Sequence, residues 1–362
     1  MSSSRKIRVL VVDDSAIVRK VISDTLNRDP GLEVVGTATD PYVARDLILQ
    51  LRPDVLTLDI EMPRMDGLTF LRVLQKHHPL PVVILSALTQ SGSRIAMEAL
   101  EAGAVDVLAK PTSSWSVGHL TEELAQRVKG AAAARRIIVK PDLGGTPART
   151  LPAQREYDAR QIILMGASTG GTEALKEVLT RLPAGLPGIC VVQHIPAGFS
   201  RALAERLDRQ CAFEVREAAE GDEVRPGLAL IAPGDYHMLI GRQTGTYRVG
   251  LKQGPPIHYT RPAVDVLFNG AAAACPDGLA VAVLLTGMGH DGAQGMAKLK
   301  AAGATTIAQN EESCVVFGMP RAAIELGVVD QVLPLEEIPH AIVRAVNAHA
   351  QPMAVVPSHS QP

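Results

Sequence analysis

Gly166-Ala167-Ser168-Thr169-Gly170-Gly171 follows the apolar run Gln161-Ile162-Ile163-Leu164-Met165 and precedes a helical pattern that begins near Thr172. An apolar, β-rich run, then small residues, then a helix spells a strand-turn-helix corner. Ser168 sits at that corner, flanked by Gly166 and Gly170. Glycine permits positive φ and close backbone approach. Such a corner lifts one side chain clear of a sheet and leaves free N–H groups at the helix N-terminus. It suits a serine nucleophile whose oxyanion is held by backbone donors. It also suits a phosphate. The dinucleotide pattern G-x-G-x-x-G fails, because Ser168 stands at its second glycine, and the P-loop fails, because no Gly-Lys-Ser/Thr follows. A non-enzymatic, phospho-regulated binding protein with a nucleotide or phosphate site at 166–171 is the competing reading.

Strand patterns surround this corner at 161–165, 188–193, 213–217, 228–232, 237–241, 247–252, 279–286 and 305–308. Helical patterns fall at 173–181, 200–210, 262–274, 293–302, 320–326 and 336–348. The middle strands are short and close together, as in a β-meander inserted in an otherwise parallel sheet. This predicts a doubly wound, mostly parallel α/β unit over 159–348. The strand at 188–193 ends in His194, and the strand at 279–286 runs out into Gly287-Met288-Gly289-His290-Asp291-Gly292. Ser168, His194 and Asp291 thus lie just past strand carboxyl ends, where open α/β sheets place their sites. Serine is inert at neutral pH until a base takes its proton, histidine titrates near neutrality, and an aspartate fixes the tautomer. Thr169 and Met288 offer N–H groups for the oxyanion. The order Ser…His…Asp departs from the α/β-hydrolase order Ser…Asp…His. His194 also reads as a satisfied core histidine, and Asp291 as a helix cap. His290 is a competing base, and His237 and His258 have weaker context.

The first half alternates strand and helix five times between residues 7 and 134. This (βα)5 rhythm predicts a flavodoxin-like parallel sheet with helices on both faces, over 5–135. Its polar exceptions share one edge: Asp13 and Asp14 after the first strand, Asp59 after the third, Ser86 after the fourth and Lys110 after the fifth. Converging carboxylates repel unless a cation joins them, and oxygen-only ligands select a hard ion such as Mg²⁺. A lysine beside them can hold a phosphoryl oxygen, so the edge reads as a phosphoryl acceptor on a carboxylate. Taken singly, Asp14 or Ser15 could cap a helix, Asp59 could open a turn, and Lys110 could be a solvated strand end.

Between the halves, 136–158 carries prolines, glycines and no period, as a linker does. Residues 349–362, rich in Pro, Ser and Gln, read as a disordered tail. The 36 basic and 38 acidic residues nearly balance, and aromatics make up only 3% of the 362 residues. A nucleic-acid footprint would need a basic face, so no such partner is expected. Cys190, Cys211, Cys275 and Cys314 form no C-x-x-C pair, as expected of free thiols in a reducing compartment. With neither a leader pattern nor an apolar run near ~20 residues, a cytoplasmic monomer without membrane insertion is expected.

Residues 7–134 resemble a two-component response-regulator receiver domain, through Val12-Asp13-Asp14-Ser15, the Leu58-Asp59-Ile60-Glu61-Met62-Pro63 to Gly67 stretch, Ser86-Ala87 and Ala109-Lys110-Pro111. The resemblance implies Asp59 as phosphoacceptor, Asp13, Asp14 and Asp59 as Mg²⁺ ligands, and Ser86 and Lys110 as phosphoryl contacts. It implies a chemotaxis histidine kinase as phosphodonor. Many receivers carry an aromatic switch residue where this chain has Val107. Residues 161–348 resemble the chemotaxis protein-glutamate methylesterase (CheB) family. The matching stretches include 166–175, Gln193-His194-Ile195-Pro196, 261–268, 285–293 and 308–320. That likeness implies Ser168 as nucleophile, His194 as base and Asp291 as orienting acid. The implied substrates are γ-glutamyl methyl esters of methyl-accepting chemoreceptors, and receptor glutamines as well. No cofactor is implied for the hydrolysis itself. Asp235 and His258-Tyr259-Thr260 depart from the family pattern outside the triad, where receptor specificity rather than chemistry would be affected.

Overall fold

The computed structural model describes residues 5–87, 89–110, 117–134, 157, 160–275 and 278–348. The expected linker lies outside the described residues except for Tyr157, and the expected tail lies outside them altogether.

The N-terminal unit runs β1 (Ile7–Val12), α1 (Ala16–Leu26), β2 (Leu32–Ala38), α2 (Pro41–Leu51), β3 (Val55–Asp59), α3 (Gly67–His77), β4 (Val82–Ser86), α4 (Gln90–Glu101), β5 (Asp106–Ala109) and α5 (Val117–Ala133). Its strands form one parallel sheet in the order β2-β1-β3-β4-β5. Every residue of β3, β4 and β5 is buried, as expected of strands covered on both faces by helices. Local capping sets the helix starts. Ser15 accepts from the Val18 N–H at the head of α1, Asp40 from Tyr42 and Val43 at α2, and Asp66 from Thr69 at α3. Helix α4 begins four residues before the expected Arg94, because Thr89 accepts from the Gly92 N–H and nucleates an extra turn.

The C-terminal unit runs β6 (Ile162–Ala167), α6 (Gly171–Leu179), β7 (Gly188–Gln193), α7 (Phe199–Asp208), β8 (Glu214–Glu217), β9 (Glu223–Val224), β10 (Leu228–Ile231), β11 (His237–Gln243), β12 (Thr246–Lys252), α8 (Val264–Ala274), β13 (Ala280–Leu284), α9 (Ala293–Ala301), β14 (Thr305–Gln309), α10 (Met319–Glu325), β15 (Gln331–Leu333), a 3-10 turn (Leu335–Glu337) and α11 (Ile338–Ala348). Seven strands form a wholly parallel sheet, β15-β14-β13-β6-β7-β10-β8. The inserted antiparallel element is a separate sheet, β11-β12-β9, while β8 and β10 join the parallel one. Chain order reverses around β6, whose neighbours are β7 and β13. The carboxyl ends at such a switch point open a crevice.

The two units pack together. One apolar cluster includes Met97 and Leu100 of α4 as well as Phe199 and Leu203 of α7. Phe199 and Leu203 are wholly buried, each worth roughly 1.5–3 kcal/mol against exposure. Arg206 of α7, also buried, bridges Glu101 of α4 and Glu173 of α6, both at 2.7 Å.

Candidate active site and phosphorylation site

Ser168 directly follows β6, His194 follows β7, and Asp291 lies in the loop between β13 and α9. All three are at least nine-tenths buried and they form one chain of contacts. Ser168 Oγ lies 3.1 Å from His194 Nδ1, and His194 Nε2 lies 2.8 Å from Asp291 Oδ2. The ring therefore turns Nδ1 to the serine and Nε2 to the aspartate, the reverse of the protease template. Asp291 Oδ2 also accepts from the Val264 N–H at 2.7 Å, and Oδ1 from the Asp265 N–H at 2.9 Å. Burial alone would push the Asp291 carboxyl upward. His194 and these backbone donors outweigh it and hold the group below the usual carboxylate range. His194 is thus no isolated core histidine, and Asp291 binds it while its oxygens take N–H groups from the start of α8.

The corner carrying Ser168 is built by close approach. Gly170 has φ 78°, the left-handed region, and a Cβ there would stand 2.5 Å from Val315. A Cβ at Gly287 would lie 2.7 Å from Ser168 Cβ. Gln193 Nε2 donates to the Ser168 carbonyl at 2.9 Å, and Thr286 Oγ1 to the Thr169 carbonyl at 3.0 Å. Thr169 and Met288 line the same cavity as Ser168 and His194. Among the described residues neither backbone N–H has an acceptor, so both are free for an oxyanion. His290 lines the cavity too, and its ring stacks edge-on against His258 with centroids 4.3 Å apart. His237 points elsewhere, bonded to the Pro255 carbonyl and the Ala263 N–H.

Several contacts were not legible in the sequence. Thr260 Oγ1 lies 3.4 Å from His194 Nε2. Asp265 stands beside Asp291, and burial and the Asp291 charge raise its carboxyl above the ordinary value. The receiver supplies the rest. Arg127 of α5 grips Asp106 of β5 through Nη1 at 3.0 and 2.9 Å, and its Nη2 donates to the His194 carbonyl at 3.0 Å. Asp106 Oδ2 also accepts from Thr169 Oγ1 at 2.8 Å. Glu123, Gln126 and Arg127 of α5 line the catalytic cavity, which measures about 90 Å³. The one available sequence signal was Asp106 standing in an apolar strand.

At the other edge, Asp13, Asp14 and Asp59 bring carboxylate oxygens within 4.8 Å of one another. Lys110 Nζ lies 2.7 Å from Asp59 Oδ2 and 3.1 Å from Asp13 Oδ2. Ser86 is buried nearby in the strand order and bonds the Gly92 carbonyl at 3.2 Å. Burial pushes the Asp59 carboxyl up to about 6, with Asp13 adding to the rise and Lys110 opposing it. Burial pushes Lys110 down, but the Asp59 charge outweighs it and leaves the ammonium above its ordinary value. One lysine cannot neutralise three carboxylates, so the donor set fits a hard divalent cation. A second group, His258, Asp265 and Asp291, is as close. Both Asp291 oxygens there are already filled by N–H donors, so it fits an ion poorly.

A receiver sheet docked on a parallel α/β sheet whose strand ends gather serine, histidine and aspartate defines a class: response regulators with a hydrolase effector. The response regulator receiver family matches residues 9–124, and the CheB methylesterase family matches 163–342. A protein-glutamate methylesterase/protein-glutamine glutaminase of Syntrophus aciditrophicus is 52% identical over 94% of this chain and 99% of its own length. One from Anaeromyxobacter dehalogenans is 51% identical, covering 94% and 95%. The CheB catalytic domain of Thermotoga maritima, a crystal structure, is 44% identical over 51% of this chain and 97% of that chain, with a TM-score of 0.50. The chain belongs to the chemotaxis protein-glutamate methylesterase (CheB) family.

Proposed function

We propose that this protein is a phosphorylation-activated serine hydrolase that removes methyl groups from γ-glutamyl methyl esters of chemoreceptors and deamidates receptor glutamines. The single observation that carries the reading is the unbroken chain Ser168 Oγ–His194–Asp291 at 3.1 and 2.8 Å. His194 Nδ1 takes the serine proton as Oγ attacks the ester carbonyl. Asp291 holds the other ring proton on Nε2. The Thr169 and Met288 N–H groups receive the oxyanion. Methanol leaves with the proton from His194, and water, deprotonated by the same nitrogen, then frees the glutamate. An amide follows the same route with ammonia leaving.

In regulation, Asp59 is the phosphoacceptor, with Asp13, Asp14 and Asp59 holding Mg²⁺ and Ser86 and Lys110 contacting the phosphoryl group. The ion would offset charge on the carboxylates and phosphoryl oxygens during transfer. The docked α5 closes the cavity, and phosphorylation shifts the population toward an open arrangement. Val107 is buried in the receiver core, so no ring turns there. The preceding residue, Asp106, contacts both Arg127 and Thr169 and links β5 to the catalytic corner instead. A chemotaxis histidine kinase is the phosphodonor, and the units divide as 5–135 and 159–348. We place the protein in the cytoplasm as a monomer; among the described residues no helix is long and apolar enough to cross a membrane. A nucleotide at 166–171 is disfavoured, because Val315 packs over Gly170. Ser168→Ala tests the reading. Methanol release from methylated receptor membranes should fall by at least roughly 10⁴-fold; release at the wild-type rate would refute it.

A further inference from the structure

Triad and oxyanion donors account for the chemistry, yet they leave one wall of the cavity unexplained. Ile257-His258-Tyr259-Thr260 forms a tight turn closed by two backbone hydrogen bonds, Ile257 N–H to the Thr260 carbonyl at 3.0 Å and Thr260 N–H to the Ile257 carbonyl at 2.9 Å. Both central residues have positive φ, 51° at His258 and 64° at Tyr259. Turns of this hand favour glycine and asparagine, so two residues with bulky side chains hold a strained backbone. Such strain persists only where the surroundings over-determine it, and here they do. His258 Nε2 lies 3.2 Å from Asp265 Oδ2, and its ring rests against His290. Arg261, the next residue after the turn, pairs with Asp235, itself at φ 71°, and the Asp235 N–H donates to the Arg261 carbonyl at 3.0 Å. The loop bearing Tyr236 is thereby stapled to the turn.

Braced inward, the rim is apolar outward. Tyr236, Ile257 and Tyr259 are 38, 36 and 48% exposed. Among the described residues only two other large hydrophobics of the C-terminal unit, Leu326 and Val332, are as open, so exposure concentrates at this rim. Tyr259 also lines the cavity that holds Ser168, which makes the rim continuous with the reacting centre. A strained, exposed, aromatic edge beside a nucleophile serves whatever is brought to that nucleophile.

We infer that the 257–260 turn, with Tyr236, is the specificity-determining surface of the hydrolase and grips the receptor segment on either side of the esterified glutamate through apolar contacts. The inference rests on the methylesterase reading and deepens it. The occupant is a receptor segment presenting apolar side chains next to the neutral ester. None of the three side chains touches the triad, so their loss bears on binding and leaves the chemistry alone.

The test compares two substrates on the full-length protein after treatment with a small phosphodonor and Mg²⁺. Tyr259→Ala, Ile257→Ala and Tyr259→Phe are assayed for methanol release from methylated receptor membranes and for hydrolysis of p-nitrophenyl acetate. The alanine variants should lose about tenfold in kcat/KM on receptors, carried by KM and equivalent to roughly 1.4 kcal/mol. Their p-nitrophenyl acetate hydrolysis should stay within about twofold of wild type, and Tyr259→Phe should keep receptor activity. Equal losses on both substrates would overturn the inference by showing that the turn acts through the triad. Unchanged receptor kinetics would overturn it too. A wild-type protein inert toward receptors but active on the small ester would refute the methylesterase reading, and the inference with it.

Discussion

Asp291 is the most tightly specified side chain of the catalytic corner. Its two oxygens accept three hydrogen bonds, one from an imidazole and two from backbone N–H groups. An amide cannot replace it, because Asn has one acceptor oxygen and an NH₂ that must face another donor. In Asp291→Asn the imidazole proton is expected to move to Nδ1, where it points at Ser168 Oγ and removes the base. We expect kcat to fall by about 10⁴-fold with KM nearly unchanged, read by methanol release at saturating receptor. A loss of tenfold or less would mean that Asp291 does not set the tautomer. That Ser168, His194 and Asp291 would converge was legible beforehand because two directly follow strands and the third lies in the loop after a strand, positions that pattern alone locates. Thr260 was not, since a threonine in a loop carries no signature and its approach to His194 follows from the strained turn. Arg127 and Asp106 were hidden for a different reason: their roles exist only when two units separated along the chain dock against each other.

Helix α5 lines the site, and Gly130 is where its backbone passes close to the catalytic corner. A Cβ at Gly130 would stand 3.3 Å from Thr169 Oγ1 and 3.6 Å from Met288 Sδ. A methyl group barely fits, and a longer side chain does not. Within the receiver alone, replacing a glycine in the last turn of the helix should not weaken it. Gly130→Gln should therefore wedge the units apart without weakening either. Methanol release without phosphodonor should rise several-fold toward the stimulated level, and the stimulation ratio should shrink toward one. Basal release as low as wild type would show that α5 contact does not limit activity. Most elements were readable from period and caps, including strands buried on both faces. The two strands that escaped, β9 and β15, have two and three residues, too few for any period. Each is defined by its partner: β9 by pairing with Tyr247 and Arg248, β15 by pairing with β14.

Across the whole molecule, the acidic edge of the receiver and the catalytic corner share strand β5. Asp106, at its start, bonds Thr169, and Lys110, just past its end, bonds Asp59. The strand that touches the active site thus also reaches the charge of Asp59. That charge is held under tension. Burial raises the Asp59 carboxyl from 3.8 to about 6, above its unfolded value. A raised carboxyl favours the folded state most at low pH: the contribution is complete below about pH 4 and is lost as pH rises through about 6. A divalent cation held by the ionised trio would relieve the loss. Mg²⁺ should therefore raise the thermal midpoint more at pH 7.5 than at pH 5, by several degrees at a hundredfold excess over Kd, where linkage supplies roughly 2.7 kcal/mol. Asp59→Asn removes the buried charge. At pH 7.5 without Mg²⁺ it should be more stable than wild type, gain little from Mg²⁺, and show no stimulation of methanol release by a phosphodonor. Thermal unfolding at both pH values, with and without Mg²⁺, checks the first part and the release assay the second. An equal Mg²⁺ gain at both pH values, or an undiminished gain in the asparagine protein, would remove Asp59 from the ion's ligands; full stimulation of that protein would remove it as the phosphoacceptor.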